Sequence, residues 1–142
     1  MKASVFPWGS VLVTDDDPAS VSLLVSVLAP LSRVRVAVSG ERALEICRSP
    51  DPPSVVLLDL HLAGLDGFEV CAHLKADPTT ANIPVVFVTG AAAHADEERC
   101  VALGAADVMS KPVGVGLLAL RVRHQLELVR FRQQASAVGR SS

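Results

Sequence analysis

Long apolar runs are missing. The longest, such as residues 85–88 and 113–120, fall well short of the ~18 residues that a membrane-spanning helix needs. No basic-plus-apolar leader opens the chain, which starts with a single Lys and then reaches Trp8 and Gly9. Both absences lead us to expect a cytoplasmic domain with no membrane insertion. A cysteine framework is missing too. The three cysteines, Cys47, Cys71 and Cys100, are odd in number and lie 24 and 29 residues apart, matching neither paired disulfides nor the close Cys pairs of a zinc site. Buried, reduced thiols are expected. Charge is scarce as well. Only 20% of residues are charged against 50% hydrophobic, too much Val, Leu and Ala for a chain that stays disordered.

No overall basic surplus exists, because the net charge is −2. That total hides an asymmetry. Residues 1–112 hold eight Lys/Arg against fourteen Asp/Glu, whereas residues 113–142 hold five Arg against Glu127 alone. An acidic body of this kind is a poor direct nucleic-acid binder.

What is present fits 142 residues folded as one domain. Short β-branched runs at 10–14, 33–38, 54–60, 84–89 and 106–109 alternate with helical spacing at 18–28, 41–48, 67–75, 92–103 and 115–134. VVLLDL and VVFVT are apolar at successive positions, as in strands covered on both faces. Five β-then-α units predict an α/β fold: a doubly wound, five-stranded parallel sheet with helices on both faces and right-handed crossovers. The layout also explains a mean hydropathy of +0.41 without a membrane span.

Local chemistry marks the boundaries. Asp17 reads as an N-cap with Pro18 at the first helical position, and Asp66-Gly67 as a turn opening another helix. Pro52 and Pro53 stiffen the loop before the third strand, and Leu103-Gly104 reads as a left-handed helix stop. Residues 135–142, small and polar, are expected to fray. Trp8 and Met109 read as packing residues, and Asp107 as a cap near the fifth strand. His73, His94 and His124 lack zinc spacing. Arg121 and Arg123 fit a solvated helix face and a partner contact equally well.

In an open parallel sheet, ligands gather beyond the carboxyl ends of the strands. The first strand here ends in Asp15-Asp16-Asp17, the third at Asp59, the fourth in Thr89-Gly90, and the fifth runs into Ser110-Lys111-Pro112. Clustered carboxylates repel one another unless a cation joins them, and a few hard oxygens on one side suit Mg²⁺. Lys111 and Thr89 can bind the same phosphoryl group, with Gly90 leaving it room. Asp59, alone on the central strand, is the nucleophile candidate.

Four motifs in order, VLVTDDDP, LLDLHLAGLDGFEV, IPVVFVTG and GAADVMSKPV, resemble the receiver domain of two-component response regulators. The resemblance spans about residues 10–130, leaving 1–9 as a lead-in and 131–142 as helix end and tail or linker. It implies the flavodoxin-like strand order 2-1-3-4-5. It also implies that Asp59 accepts a phosphoryl group from a phosphohistidine of a sensor histidine kinase or phosphotransfer protein. Asp15, Asp16, Asp59 and the backbone carbonyl of His61 would hold Mg²⁺, Thr89 would bind a phosphoryl oxygen, and a cis Lys111–Pro112 bond would orient the lysine.

Three positions depart from the family pattern. Val108 replaces a common aromatic, Ala63 a common proline and Val113 a frequent Phe, so an aromatic switch is in doubt and the loop after Asp59 is expected to be looser. Such a domain is a signalling switch, not an enzyme beyond its own phosphorylation and dephosphorylation. The alternatives are an Mg²⁺-dependent aspartyl phosphohydrolase, against which His61 occupies the place of a second acid, and a non-phosphorylated interaction module. Residues 117–134 form an uninterrupted helix pattern. Leu118, Val122, Leu126 and Val129 are expected to face the sheet, whereas Leu117, Leu120, Leu128 and Phe131 have no evident cover. That second stripe suggests a homodimer or a downstream domain.

Overall fold

The computed structural model describes residues 9–90 and 94–141; residues 1–8 of the 1–9 lead-in, Trp8 among them, lie outside these. The elements are β1 (Ser10–Thr14), α1 (Pro18–Leu28), β2 (Arg33–Ala37), α2 (Gly40–Cys47), β3 (Val55–Leu58), α3 (Gly67–Ala76), β4 (Val85–Thr89), α4 (His94–Ala102), β5 (Asp107–Ser110) and α5 (Val115–Ser141). All five strands are parallel, in the order β2-β1-β3-β4-β5.

Period-two alternation explains why the strands are apolar throughout. Leu12, Val56, Leu58, Val85 and Phe87 point into one core with α2, α3 and α4. Val11, Val13, Val55, Leu57, Val86 and Val88 point into the other, with α1 and α5. Apolar surface taken out of water stabilises the fold by roughly 25 cal/mol per Å², so both faces need a helical cover.

The expected boundary chemistry is there. Asp17 accepts from the Ala19 N–H at 3.3 Å, with Pro18 in the first turn of α1. Asp66 and Glu69 form a reciprocal capping box on α3. After α4, Gly104 sits at φ +94°, and the N–H groups of Gly104 and Ala105 return to the Val101 and Cys100 carbonyls. Only glycine enters that left-handed stop at little cost.

At the C-terminus the sequence reading needs correction. Helix α5 continues to Ser141, through residues expected to fray. No proline interrupts residues 113–142, and Ala135 and Ala137 are strong helix formers that offset Gly139, so no strong breaker stops the helix. Three residues of each four-residue stripe separate as expected, and Val129 and Leu128 do not. Leu118, Val122 and Leu126 are buried, while Leu117, Leu120 and Phe131 are 47, 64 and 69% exposed. Leu128 and Val129 are half-buried, and Gln125, unforeseen as an inward residue, is buried.

All three cysteines are free and buried. Burial pushes the Cys47 and Cys100 thiols up to about 11 from an ordinary 9.0 and raises Cys71 as well. Near pH 8, a thiol displaced that far upward has a thiolate fraction lower by roughly 100-fold. Native protein is therefore expected to react with a thiol-exchange reagent far more slowly than the unfolded chain. Comparable rates in the two states would contradict this burial.

Candidate functional site

The strand order reverses direction at β1, whose neighbours are β2 and β3. Crossovers therefore diverge there, opening a crevice at the strands' carboxyl ends. Asp15 follows β1 and Asp59 follows β3. Their positions are fixed by sheet-like bonds, Asp15 N–H to the Ala37 carbonyl at 3.2 Å and Asp59 N–H to the Thr14 carbonyl at 3.0 Å.

Lys111, just past β5, reaches across the crevice. Its Nζ lies 2.8 Å from Asp15 Oδ2 and 3.4 Å from Asp59 Oδ2. Asp15 is nearly sealed from solvent, with 2% of its side chain exposed, so this pair is screened far less than a surface bridge. Burial alone would depress the Lys111 pKa. The hydrogen bond to Asp15 and the charges of Asp59 and Asp15 outweigh it, and the net shift is upward. The ion pairs' stabilisation is thus present below the ordinary lysine pKa and lost as pH climbs through the raised one.

Backbone donors hold the acids from the other side. Asp15 Oδ1 accepts from the Asp17 N–H at 2.9 Å, and Asp59 Oδ1 from the His61 N–H at 3.3 Å. Asp16 is exposed beside them, and one carboxylate oxygen from each of Asp15, Asp16 and Asp59 lies within 4.8 Å of the others. Among the described residues this is the one group of three or more acidic, His or Cys side chains that could hold a metal ion. Three hard oxygens facing one cation fit a divalent ion of the Mg²⁺ kind.

Thr89 ends β4 with its hydroxyl buried and unpartnered, a state that costs free energy unless a ligand or water joins it. The Thr89 carbonyl accepts from the Lys111 N–H at 2.9 Å, so the two residues share an edge. Gly90 lies beside Lys111, where an added Cβ would make only ordinary contact at 3.9 Å with the lysine side chain. The Lys111–Pro112 peptide is cis.

Sequence-predicted residues thus separate into groups. Asp15, Asp59 and Lys111 touch, Asp16 borders them, and Thr89 joins Lys111 through the backbone. His61 enters through its backbone N–H, while its side chain is exposed. Asp17 is occupied as a cap, accepting also from Ser20 Oγ at 2.9 Å. Asp107 opens β5 and pairs with Arg121 at 3.4 Å, and Arg123 pairs with Glu127 at 3.2 Å. Val108 is half-buried against the α2–α4 side of the core, so an aliphatic residue fills the place of the family's aromatic.

Two contributors were not legible in the sequence. Glu41 of α2 accepts from the Leu65 N–H at 3.0 Å, pinning the loop after Asp59 that Ala63 was expected to loosen. Gly64, at φ +75°, brings that loop against the Glu41 carboxylate. The Arg99 guanidinium lies 4.0 Å over the Phe68 ring, at the mouth of a surface hollow shared with Asp16 and His61. The 24-residue and 31-residue separations of these pairs leave no local pattern to find.

Comparison with known proteins supplies the context. The family described as the response regulator receiver domain matches residues 11–123. Response regulator PleD of Caulobacter vibrioides is 41% identical over 123 residues, covering 86% of this chain and 26% of that protein. A probable cyclic di-GMP phosphodiesterase of Vibrio cholerae is 38% identical over 118 residues, covering 83% and 26%. The chain thus spans about a quarter of the length of these curated relatives. Among solved structures, the signal receiver domain of a DNA-binding response regulator from Colwellia psychrerythraea superposes with a TM-score of 0.77 at 34% identity, covering 84% of this chain and 98% of that one.

Proposed function

Because the chain belongs to the response regulator receiver domain family, we propose that it is a switch set by phosphorylation of Asp59. The observation that carries this reading is Lys111 bridging Asp15 and Asp59 beside the orphaned hydroxyl of Thr89. In this reading the Asp59 carboxylate attacks the phosphorus of a phosphohistidine on a sensor kinase or phosphotransfer protein. An oxygen–phosphorus bond forms, the phosphorus–nitrogen bond breaks, and an acyl phosphate remains on the chain. Lys111 neutralises the incoming anion, and Thr89 donates its free hydroxyl to a phosphoryl oxygen. Mg²⁺ held by Asp15, Asp16, Asp59 and the His61 carbonyl would supply charge neutralisation for the transfer. The work of the chain's own groups is positioning and electrostatics, with little acid–base chemistry.

This self-directed chemistry makes the chain a switch and not a turnover enzyme. Among the described residues no helix is long and apolar enough to cross a membrane. The proposed exchange with the kinase takes place in the cytoplasm. Phosphotransfer from a radiolabelled histidine kinase tests the reading. Label is expected to pass to this chain in Mg²⁺ and to stay on the kinase in chelator. No transfer from any histidine-phosphorylated donor, together with no labelling by acetyl phosphate, would overturn it.

Helix α5 is the proposed route outward, docking on a second copy of the chain. Leu117, Leu120 and Phe131 leave an apolar edge uncovered along it, and the basic stretch that carries them complements the acidic body of another chain. A Leu128→Glu, Phe131→Glu double variant is expected to sediment as a monomer where the wild type dimerises. Wild type that stays monomeric at high micromolar concentration, phosphorylated or not, removes α5 as a dimer handle and leaves a downstream domain as its partner.

A further inference from the structure

At the amino ends of the strands, opposite the acidic crevice, lies a cleft of about 720 Å³. It falls within the ~300–1,000 Å³ typical of small-molecule sites. Its walls come from the loops before β3 and β4, the end of α3, the turn before β5, and α5 from Gln125 to Ser136. The helix beyond Gln125, which the sequence pattern only partly foresaw, therefore builds one whole side.

Charge in the cleft is of one sign. Lys75 and Arg132 line it, and no carboxylate does among the described lining residues. Lys75 is anchored, with Nζ donating to the Ala81 carbonyl at 3.0 Å and the Ile83 carbonyl at 2.9 Å. Two of its three donors are thereby spent on neutral acceptors, leaving its charge without a counter-ion in these contacts. Burial, reinforced by the charge of Arg132, holds the Lys75 ammonium below its ordinary pKa. Lys75 is half-buried with a like charge near it on the exposed Arg132, and an anion placed between the two lowers the cost of keeping the ammonium charged.

The remaining surface suits the rest of a ligand. Pro53, Pro84, Ile83 and Val129 give flat or aliphatic walls, and the amides of Asn82 and Gln125 can donate and accept. We propose that this cleft is a second ligand site that takes a nucleotide, its phosphates between Lys75 and Arg132 and its base on the proline and aliphatic wall. Bound there, the ligand joins α5 to the α3–β4 loop, at the opposite edge of the sheet from Asp59.

Calorimetric titration of the full chain with ADP and GDP, in EDTA so that no metal bridges phosphate to the acidic crevice, tests the proposal. Saturable binding of at least one of them, one per chain, is expected, with Asp59→Asn unchanged. Arg132 is exposed, so Arg132→Glu leaves the fold intact and is expected to weaken binding at least tenfold, about 1.4 kcal/mol. Lys75→Gln, checked by its melting curve, is expected to do the same. Pyrophosphate and adenosine are each expected to bind more weakly than the diphosphates. No saturable binding at millimolar ADP or GDP overturns the site, as does binding indifferent to Arg132→Glu. Pyrophosphate binding as tightly as both nucleotides overturns the assignment of a base to the apolar wall.

Discussion

Asp59→Asn is expected to reduce phosphoryl incorporation to background. With Mg²⁺ and acetyl phosphate, the wild type should gain one base-labile, hydroxylamine-sensitive group, read by intact-mass spectrometry or radiolabel. An amide nitrogen or oxygen is too poor a nucleophile to replace the carboxylate, so the loss should be complete. The replacement keeps an oxygen that can accept from the His61 N–H, now at 3.3 Å from Asp59 Oδ1, and it removes one of three clustered negative charges. Asp15 still pairs with Lys111 at 2.8 Å. Relief of like-charge repulsion between the acids offsets the lost Lys111–Asp59 bridge at 3.4 Å, so the variant should melt close to the wild type in metal-free buffer. Equal labelling of wild type and variant would move the acceptor to another residue.

Mg²⁺ is expected to stabilise the folded chain, and Asp16 to be required for that effect. A ligand that binds only the native state contributes RT ln(1 + [L]/Kd), about 1.4 kcal/mol at ~10 times Kd. For a domain of this size that raises the melting temperature by about 5 °C. Asp16 is exposed and makes no contact that the core needs, so Asp16→Ala should fold normally while losing most of the Mg²⁺-dependent rise. Potassium chloride at matched ionic strength controls for screening, which acts on all exposed charges alike. A wild-type melting curve indifferent to millimolar Mg²⁺ would show that Lys111 already satisfies the acids and that the cluster holds no metal.

Sequence alone determined what depends on neighbours within a turn or a strand. Period-two and period-3.6 apolar spacing marked the ten elements, because burial selects faces whatever the partner. Asp17-Pro18, Asp66-Gly67 and Leu103-Gly104 marked helix ends through bonds that span two to five residues. Asp15, Asp59, Thr89 and Lys111 were legible for a related reason: a polar residue closing a buried strand has only one edge to go to.

Tertiary structure decided what depends on distant partners. Whether Lys111 reaches Asp15, 96 residues away, rests on sheet order and not on either motif. Glu41 secures the loop after Asp59 through a contact no local pattern announces, and Arg99 finds Phe68 in the same way. The α5 helix shows the division most clearly. Periodicity marked Leu118, Val122 and Leu126 as inward, but only packing against β3 and α1 buries Gln125 and leaves Phe131 in solvent. Helical propensity carries the chain on to Ser141, and the cleft that α5 walls between Gln125 and Ser136 exists only because three separate loops meet it there.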